Sequence, residues 1–174
     1  MERQKIQKTE IDSAVKFKLG FPMGIFELAD FTGIDVIHKA TIEMHLRDKK
    51  VILPHAKIEQ LFNEKKLGKK NGEGFYKYSD EKYERVELTE ELAELCIPTQ
   101  IVANILNNAA WLVTNNASDI NEIEKAASLG LGLKKPLFET ANEIGMQKIV
   151  DELKKLSKQF GTFYEPDPLL VSMC

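Results

Sequence analysis

A constant offset of 112 residues lays one part of this chain over another. Gly20 to Gly33 reads G-F-P-M-G-I-F-E-L-A-D-F-T-G, and Leu129 to Gly145 reads L-G-L-G-L-K-K-P-L-F-E-T-A-N-E-I-G. In that register Gly20, Phe26, Glu27, Ala29 and Gly33 meet Gly132, Phe138, Glu139, Ala141 and Gly145. Upstream, Ile11 and Ala14 meet Ile123 and Ala126, and Asp12 meets Glu124. Ungapped matches over this span point to a duplicated unit, which must fold in a similar way twice.

The local pattern inside the unit is helical. Gly20, Pro22 and Gly24 suit a tight turn. Ile25, Leu28, Ala29 and Thr32 then fall at helical spacing. Glu27 lies three residues after Gly24, where a carboxylate bonds free amides of a first turn, so its expected role is structural. Gly33 stands where helices commonly stop.

Along the rest of the chain, Thr9 with Asp12 reads as a helix start, followed by Ile11, Ala14, Val15 and Leu19 on one face. Asp35 is expected to cap a third helix with Ile37, Ala40, Thr41 and Met44 inward. After Pro54, Ala56 to Lys66 forms a shorter amphipathic helix through Ile58, Leu61 and Phe62. Asn71, Gly72 and Gly74 favour a turn, and Phe75, Tyr76 and Tyr78 would pin the next extended stretch onto the helices. The charge-rich stretch from Ser79 suits a linker with one short helix starting at Thr89.

Pro98 opens the second half at a first helical position. Ile101, Val102, Ile105, Leu106, Ala109, Leu112 and Val113 make a wide apolar stripe, ended by Asn115-Asn116. Asp119 with Glu122 starts the next helix. A last long helix, Gln147 to Phe160, puts Ile149, Val150, Leu153 and Leu156 on one side and halts at Gly161. The tail F-Y-E-P-D-P-L-L is expected to lie extended. The fold class is all-α, in three segments: a first helical domain over 1–79, a linker over 80–96 and a diverged second copy over 97–174.

Composition narrows the function. A net charge of −3 gives no electrostatic case for nucleic acid or an anionic membrane. No apolar run reaches bilayer-spanning length, and the start M-E-R-Q-K-I-Q-K is not of the signal-peptide kind, so a cytoplasmic setting is the default. Cys96 and Cys174 lack metal-ligand spacing and are expected to stay thiols, and no metal site is expected. The glycines of L-G-K-K-N-G-E-G-F-Y-K-Y fit neither the dinucleotide fingerprint nor the phosphate loop. Lys65, Lys66, Lys69 and Lys70 could meet a phosphate, but a solvated basic face is the simpler reading. No acid-base pair or nucleophile stands out.

The passage G-F-P-M-G-I-F-E-L-A-D-F-T-G-I-D, with the upstream I-D-S-A-V-K-F-K-L and the downstream G-K-K-N-G-E-G-F-Y-K-Y, resembles the C-terminal helical domain of L-3-hydroxyacyl-CoA dehydrogenases. The second half looks like a diverged copy, down to P-D-P-L-L. The resemblance implies NAD-dependent oxidation of a 3-hydroxyacyl-CoA to the ketone in fatty-acid β-oxidation. It also implies that the histidine–glutamate pair and the NAD loop belong to a separate doubly wound domain. His38, His45 and His55 match no catalytic position of the family and are expected on helix surfaces. Asn104, in V-A-N-I-L, does not fit the family's substrate-touching asparagine context. No catalytic residue is therefore assigned, and the chain by itself is expected to be inactive.

By position, the resemblance puts Pro22, Met23, Gly24 and Leu28 on an apolar wall near the acyl-pantetheine arm, with core filling as the alternative. In the second copy Lys134, Lys135 and Pro136 replace the first three. The implied partners are the acyl-CoA substrate, an NAD-binding Rossmann domain and a fused enoyl-CoA hydratase. Two copies in one chain are expected to pack as a pseudo-dimer, burying the stripe from Ile101 to Val113. The competing reading is a non-catalytic helical assembly module.

Overall fold

The computed structural model describes residues 6–79 and 87–174. Its regular structure is helical; the only pairings of strand type among the described residues are isolated bridges of Glu73 with Gly68 and Lys77. The chain divides into two compact units. Unit 1 is built from Met1–Val15 and Met23–Cys96, unit 2 from Lys16–Pro22 and Ile97–Cys174.

Unit 1 holds α1 (Lys8–Phe17, to Val15), α2 (Ile25–Thr32), α3 (Ile34–Arg47), α4 (Ala56–Asn63) and the short α5 (Glu90–Glu94). Helix α2 starts as its sequence demands: the Gly24 amide donates to Glu27 Oε2 at 3.0 Å, the glutamate half of a capping box. One glycine both ends α2 and opens α3. Gly33 has φ 104° and ψ 127°, a region open in practice only to glycine, and its amide donates to Ala29 O at 2.9 Å. Asp35 is therefore inside the first turn of α3, paired with Lys70, and Gly33 takes the capping position expected of Asp35.

Other boundaries shift for similar reasons. Helix α1 begins at Lys8, because Glu10 rather than Asp12 reaches back, accepting from the Gln7 amide at 3.0 Å. Helix α4 ends at Asn63, since Lys65 takes a left-handed conformation at φ 59°. Thr89 caps α5 by accepting from the Leu92 amide, as expected, and Ala93 and Cys96 pack on Ala14 and Ile11. Of the expected linker 80–96, residues 80–86 lie outside the described residues.

Unit 2 holds α6 (Thr99–Thr114), α7 (Ile120–Leu131), α8 (Leu137–Ile144), α9 (Met146–Phe160) and α10 (Pro168–Ser172). Helix α6 is its centre, packed against each of the other four. Its buried residues are Val102, Ala103, Leu106, Asn107, Ala109 and Ala110, so the apolar stripe is rotated from the expected one and leaves Leu112 37% exposed. Asp119 and Glu122 close a capping box on α7. Gly145, at φ 100° and ψ 115°, joins α8 to α9 as Gly33 joins α2 to α3. Ile149, Val150, Leu153 and Leu156 are buried along α9, which stops at Gly161.

The tail of unit 2 is not extended. Thr162–Tyr164 form a 3-10 turn, and Asp167 caps α10 by accepting from the Leu169 amide, with Pro168 at the first helical position where its missing N–H costs nothing. Asn107 on α6 grips this segment, donating to Glu165 O at 2.9 Å and accepting from the Asp167 amide at 2.8 Å. Thr114 Oγ1 donates to the Asp167 carboxylate at 2.6 Å.

Candidate functional site

Among the described residues of unit 1, two buried carboxylates, Asp12 and Asp30, gather hydrogen bonds around α2. Asp12, fully buried on α1, accepts from the amides of Phe26 at 2.9 Å and Glu27 at 3.1 Å, and from the Tyr76 hydroxyl at 2.8 Å. It therefore binds the free amides at the N-terminal end of α2, where a carboxylate is electrostatically favoured. Burial pushes the Asp12 carboxyl above its ordinary range, against the opposing pull of those donors. Burial also pushes the Tyr76 phenol up, reinforced by the neighbouring Asp12 charge.

Asp30 does the same for the aromatic segment. It accepts from the amides of Phe75 at 2.7 Å and Tyr76 at 2.8 Å, and from the Tyr78 hydroxyl at 2.8 Å. Phe75 also packs on Phe26, with ring centroids 4.7 Å apart. The expected pinning of this stretch by its aromatics is thus present, but a carboxylate anchors it. Backbone and carboxylate approach so closely that a Cβ on Gly74 would lie 2.0 Å from Asp30 Oδ1, and one on Gly68 2.2 Å from Asp30 O. These glycines are consumed by packing against Asp30, so the stretch does not fit as a dinucleotide cradle. The neighbouring lysines are engaged separately: Lys66 with Glu64 and Glu73, Lys70 with Asp35, and Lys65 over the Phe62 ring.

Beside this cluster a cleft of about 1330 Å³ opens in unit 1. Ile11, Ile25, Phe26, Ala29, Ile37 and Ile58 supply its apolar wall, and Lys8, Lys57, Lys66 and Lys77 stand among the residues around it. The four residues singled out by family position lie elsewhere. Pro22 is exposed and faces Gly132 within unit 2. Met23 is half-buried, and Gly24 is closed against Asp12. Leu28 is 42% exposed on the outer side of α2. The cleft wall draws instead on the inward positions of the same helix.

The three histidines divide. His38 is only 6% exposed, against the expectation of a surface position; its Nε2 lies 2.6 Å from Glu59 Oε2 and its ring stacks on Phe62, tying α3 to α4. His45 Nδ1 contacts Val51 O at 2.6 Å. His55 caps α4, accepting from the Lys57 amide at 3.1 Å. Among the described residues no group of His, Cys, Asp and Glu is arranged to hold a metal ion, and no helix is long and apolar enough to cross a membrane.

Asp12 and Asp30 escaped the sequence reading in these roles. The sequence pattern assigns Asp12 only to the start of α1 and Asp30 only to the motif. The available signal was the repeat, because Glu124 stands over Asp12 and does the same work. It accepts from the amides of Leu137 at 2.7 Å and Phe138 at 2.8 Å.

The family model described as 3-hydroxyacyl-CoA dehydrogenase, C-terminal domain, matches residues 1–78 and again 97–174. Mitochondrial hydroxyacyl-coenzyme A dehydrogenase of Rattus norvegicus is 43% identical over 79 residues, covering 44% of this chain and 25% of the relative. The fatty acid oxidation complex subunit alpha of Idiomarina loihiensis is 28% identical over 177 residues, covering 90% of this chain and 24% of the relative. The crystal structure of 3-hydroxybutyryl-CoA dehydrogenase from Escherichia coli shares the fold, with a TM-score of 0.75 at 19% identity over 97% of this chain and 54% of that one. The chain spans about a quarter of the length of the curated relatives it matches. It belongs to the family of 3-hydroxyacyl-CoA dehydrogenase C-terminal domains, and the family pattern occurs in it twice.

Proposed function

We propose that this chain is the helical, substrate-side region of an NAD-dependent L-3-hydroxyacyl-CoA dehydrogenase acting in fatty-acid β-oxidation, and that it is inactive without an NAD-binding domain. The observation that carries this reading is the double family match over 1–78 and 97–174. It is supported by the closure of the glycine-rich stretch against Asp30. NAD would be held by a separate NAD-binding domain, and no step of hydride transfer is assigned to residues of this chain.

In this reading the turn and helix start carrying Pro22, Met23, Gly24 and Leu28 form the wall for the acyl-pantetheine arm. Leu28 offers the exposed apolar surface such an arm requires, and Gly24 lets α2 begin close to Asp12, which sets the height of that wall. The substrate is an acyl-CoA thioester, and the partners are a Rossmann domain and an enoyl-CoA hydratase. The hydratase is suggested by the match to a fatty acid oxidation complex subunit.

The test is reconstitution. The purified chain is mixed with a separately produced NAD-binding domain of a family relative, 3-hydroxyacyl-CoA and NAD, and NADH formation is followed. NADH production by the mixture, with neither component active singly, is the expected result. A mixture no faster than the NAD-binding domain by itself would count against the reading.

A further inference from the structure

We infer that Phe31 and Lys69 form the subsite for the nucleotide end of the coenzyme A thioester, the adenine stacking on the Phe31 ring and a phosphate meeting the Lys69 ammonium. The inference rests on the reading of α2 as a wall for the acyl-pantetheine arm and adds to it the place where that arm ends.

Glycine packing brings the two side chains together. Gly68, at φ 96°, lies so close to α2 that a Cβ on it would stand 2.2 Å from Asp30 O. Leu67 O accepts from the Ile34 amide at 3.2 Å, which ties the same segment to the start of α3. The residue after Gly68 is Lys69, the first of a 3-10 turn, and the residue after Asp30 is Phe31. Lys69 Nζ accordingly stands 5.8 Å from the centre of the Phe31 ring.

The ring faces solvent. Phe31 is 63% exposed, and Leu28, three residues earlier on the same face of α2, is 42% exposed. Gly24 to Phe31 spans about 10 Å along the helix, less than an extended pantetheine arm. An acyl group seated at the start of α2 therefore leaves its nucleotide within reach of Phe31. A base stacks on an aromatic face without needing full enclosure, and a lysine beside that face supplies a point charge for phosphate. The other lysines of this segment are engaged differently: Lys70 with Asp35, and Lys66 with Glu64 and Glu73.

The duplicated unit supplies the contrast. At the offset of 112, Leu28 and Phe31 become Thr140 and Glu143. Thr140 is buried and donates to Pro136 O at 3.0 Å, while Glu143 pairs with Lys135. The helix therefore does not require an aromatic at this position. A carboxylate there removes the stacking surface and repels phosphate, so the subsite belongs to unit 1.

Two measurements separate this inference from the reading beneath it. Coenzyme A is titrated into the full chain by calorimetry. Saturable binding is expected, weaker by about fivefold or more in Phe31→Ala and in Lys69→Glu, and retained in Phe31→Trp. Absent binding, or equal binding in wild type and both weakened variants, would overturn the subsite whether or not the reconstituted mixture makes NADH. Displacement by NAD at the concentration at which coenzyme A displaces itself would also overturn it, by assigning the ring to the other adenine nucleotide. In the reconstituted dehydrogenase, Phe31→Ala should raise KM for the coenzyme A thioester about fivefold or more relative to KM for the matching pantetheine thioester, which lacks the nucleotide. Equal rises for both would place Phe31 against the arm itself and sink the nucleotide subsite, with the dehydrogenase reading intact.

Discussion

A side chain on Gly24 has nowhere to go: its Cβ would stand 2.1 Å from the Cγ of Asp12. The second unit resolves the same crowding differently. There the acid is Glu124, one methylene longer, and it reaches the amides of Leu137 and Phe138 while Pro136 holds the position of Gly24. Proline has no amide to donate, so the bond from the Gly24 amide to Glu27 has no equivalent there, and Glu139 is exposed. Acid length and the residue before the helix thus change together, which is a physical account of the divergence at Pro136.

Gly24→Ala is accordingly expected to destabilise unit 1 by about 1–3 kcal/mol, the cost of overpacking at a site fixed from both sides. Combining it with Asp12→Ala, which vacates the space, should cost less than the sum of the two single changes. Urea denaturation of the four proteins of this cycle measures the difference.

Asp30→Asn keeps the shape and replaces one acceptor oxygen with a donor, facing the amides of Phe75 and Tyr76 and the Tyr78 hydroxyl. Losing a charge-assisted acceptor in this place should cost about 2–4 kcal/mol. Hydrogen exchange should show faster opening of residues 74–78, with α9 of the other unit unchanged. Equal protection of both regions would refute the assignment of Asp30 as their anchor.

The raised carboxyl of Asp12 makes a pH signature. Because burial lifts its folded pKa above the unfolded value, the folded state binds the proton more tightly. That contribution is fully present below the unfolded pKa and is lost as the pH rises through the folded pKa. Wild type should therefore gain stability relative to Asp12→Asn as the pH falls from about 7 toward 4. Denaturation midpoints of both proteins across that range test the sign, and a difference independent of pH would contradict it.

In unit 2, Asn107→Ala strands Glu165 O and the Asp167 amide together. A loss of about 2–3 kcal/mol is expected, close to that of a well-packed aliphatic truncation. Replacement by Asp, which accepts but cannot donate, should recover only the contact to the Asp167 amide.

The proposed acyl wall is tested at Leu28. Its side chain is substantially exposed, so Leu28→Ser should leave the fold intact. In the reconstituted dehydrogenase it should raise KM for long-chain substrates more than for short ones, since the lost surface contacts only the extended arm. An unchanged KM across chain lengths would remove Leu28 from the wall.

The letters alone determined what depends on near neighbours. Helical periodicity, the Asp119–Glu122 box, the Thr89 cap, the stops at Asn115 and Gly161 and the bond from the Gly24 amide to Glu27 all act within four residues, and each stands where the pattern put it. The repeat was legible for the same reason, as a fixed register. Tertiary structure decided what long sequence separations bring together. It pairs Asp12 with Tyr76 and Asp30 with Phe75, and it buries His38 against Phe62. It also rotates the buried face of α6 and leaves the inward face of α3 only partly covered. A carboxylate's partner across forty residues, or the helix that covers an apolar stripe, follows from how elements pack, and periodicity along one element carries no information about either.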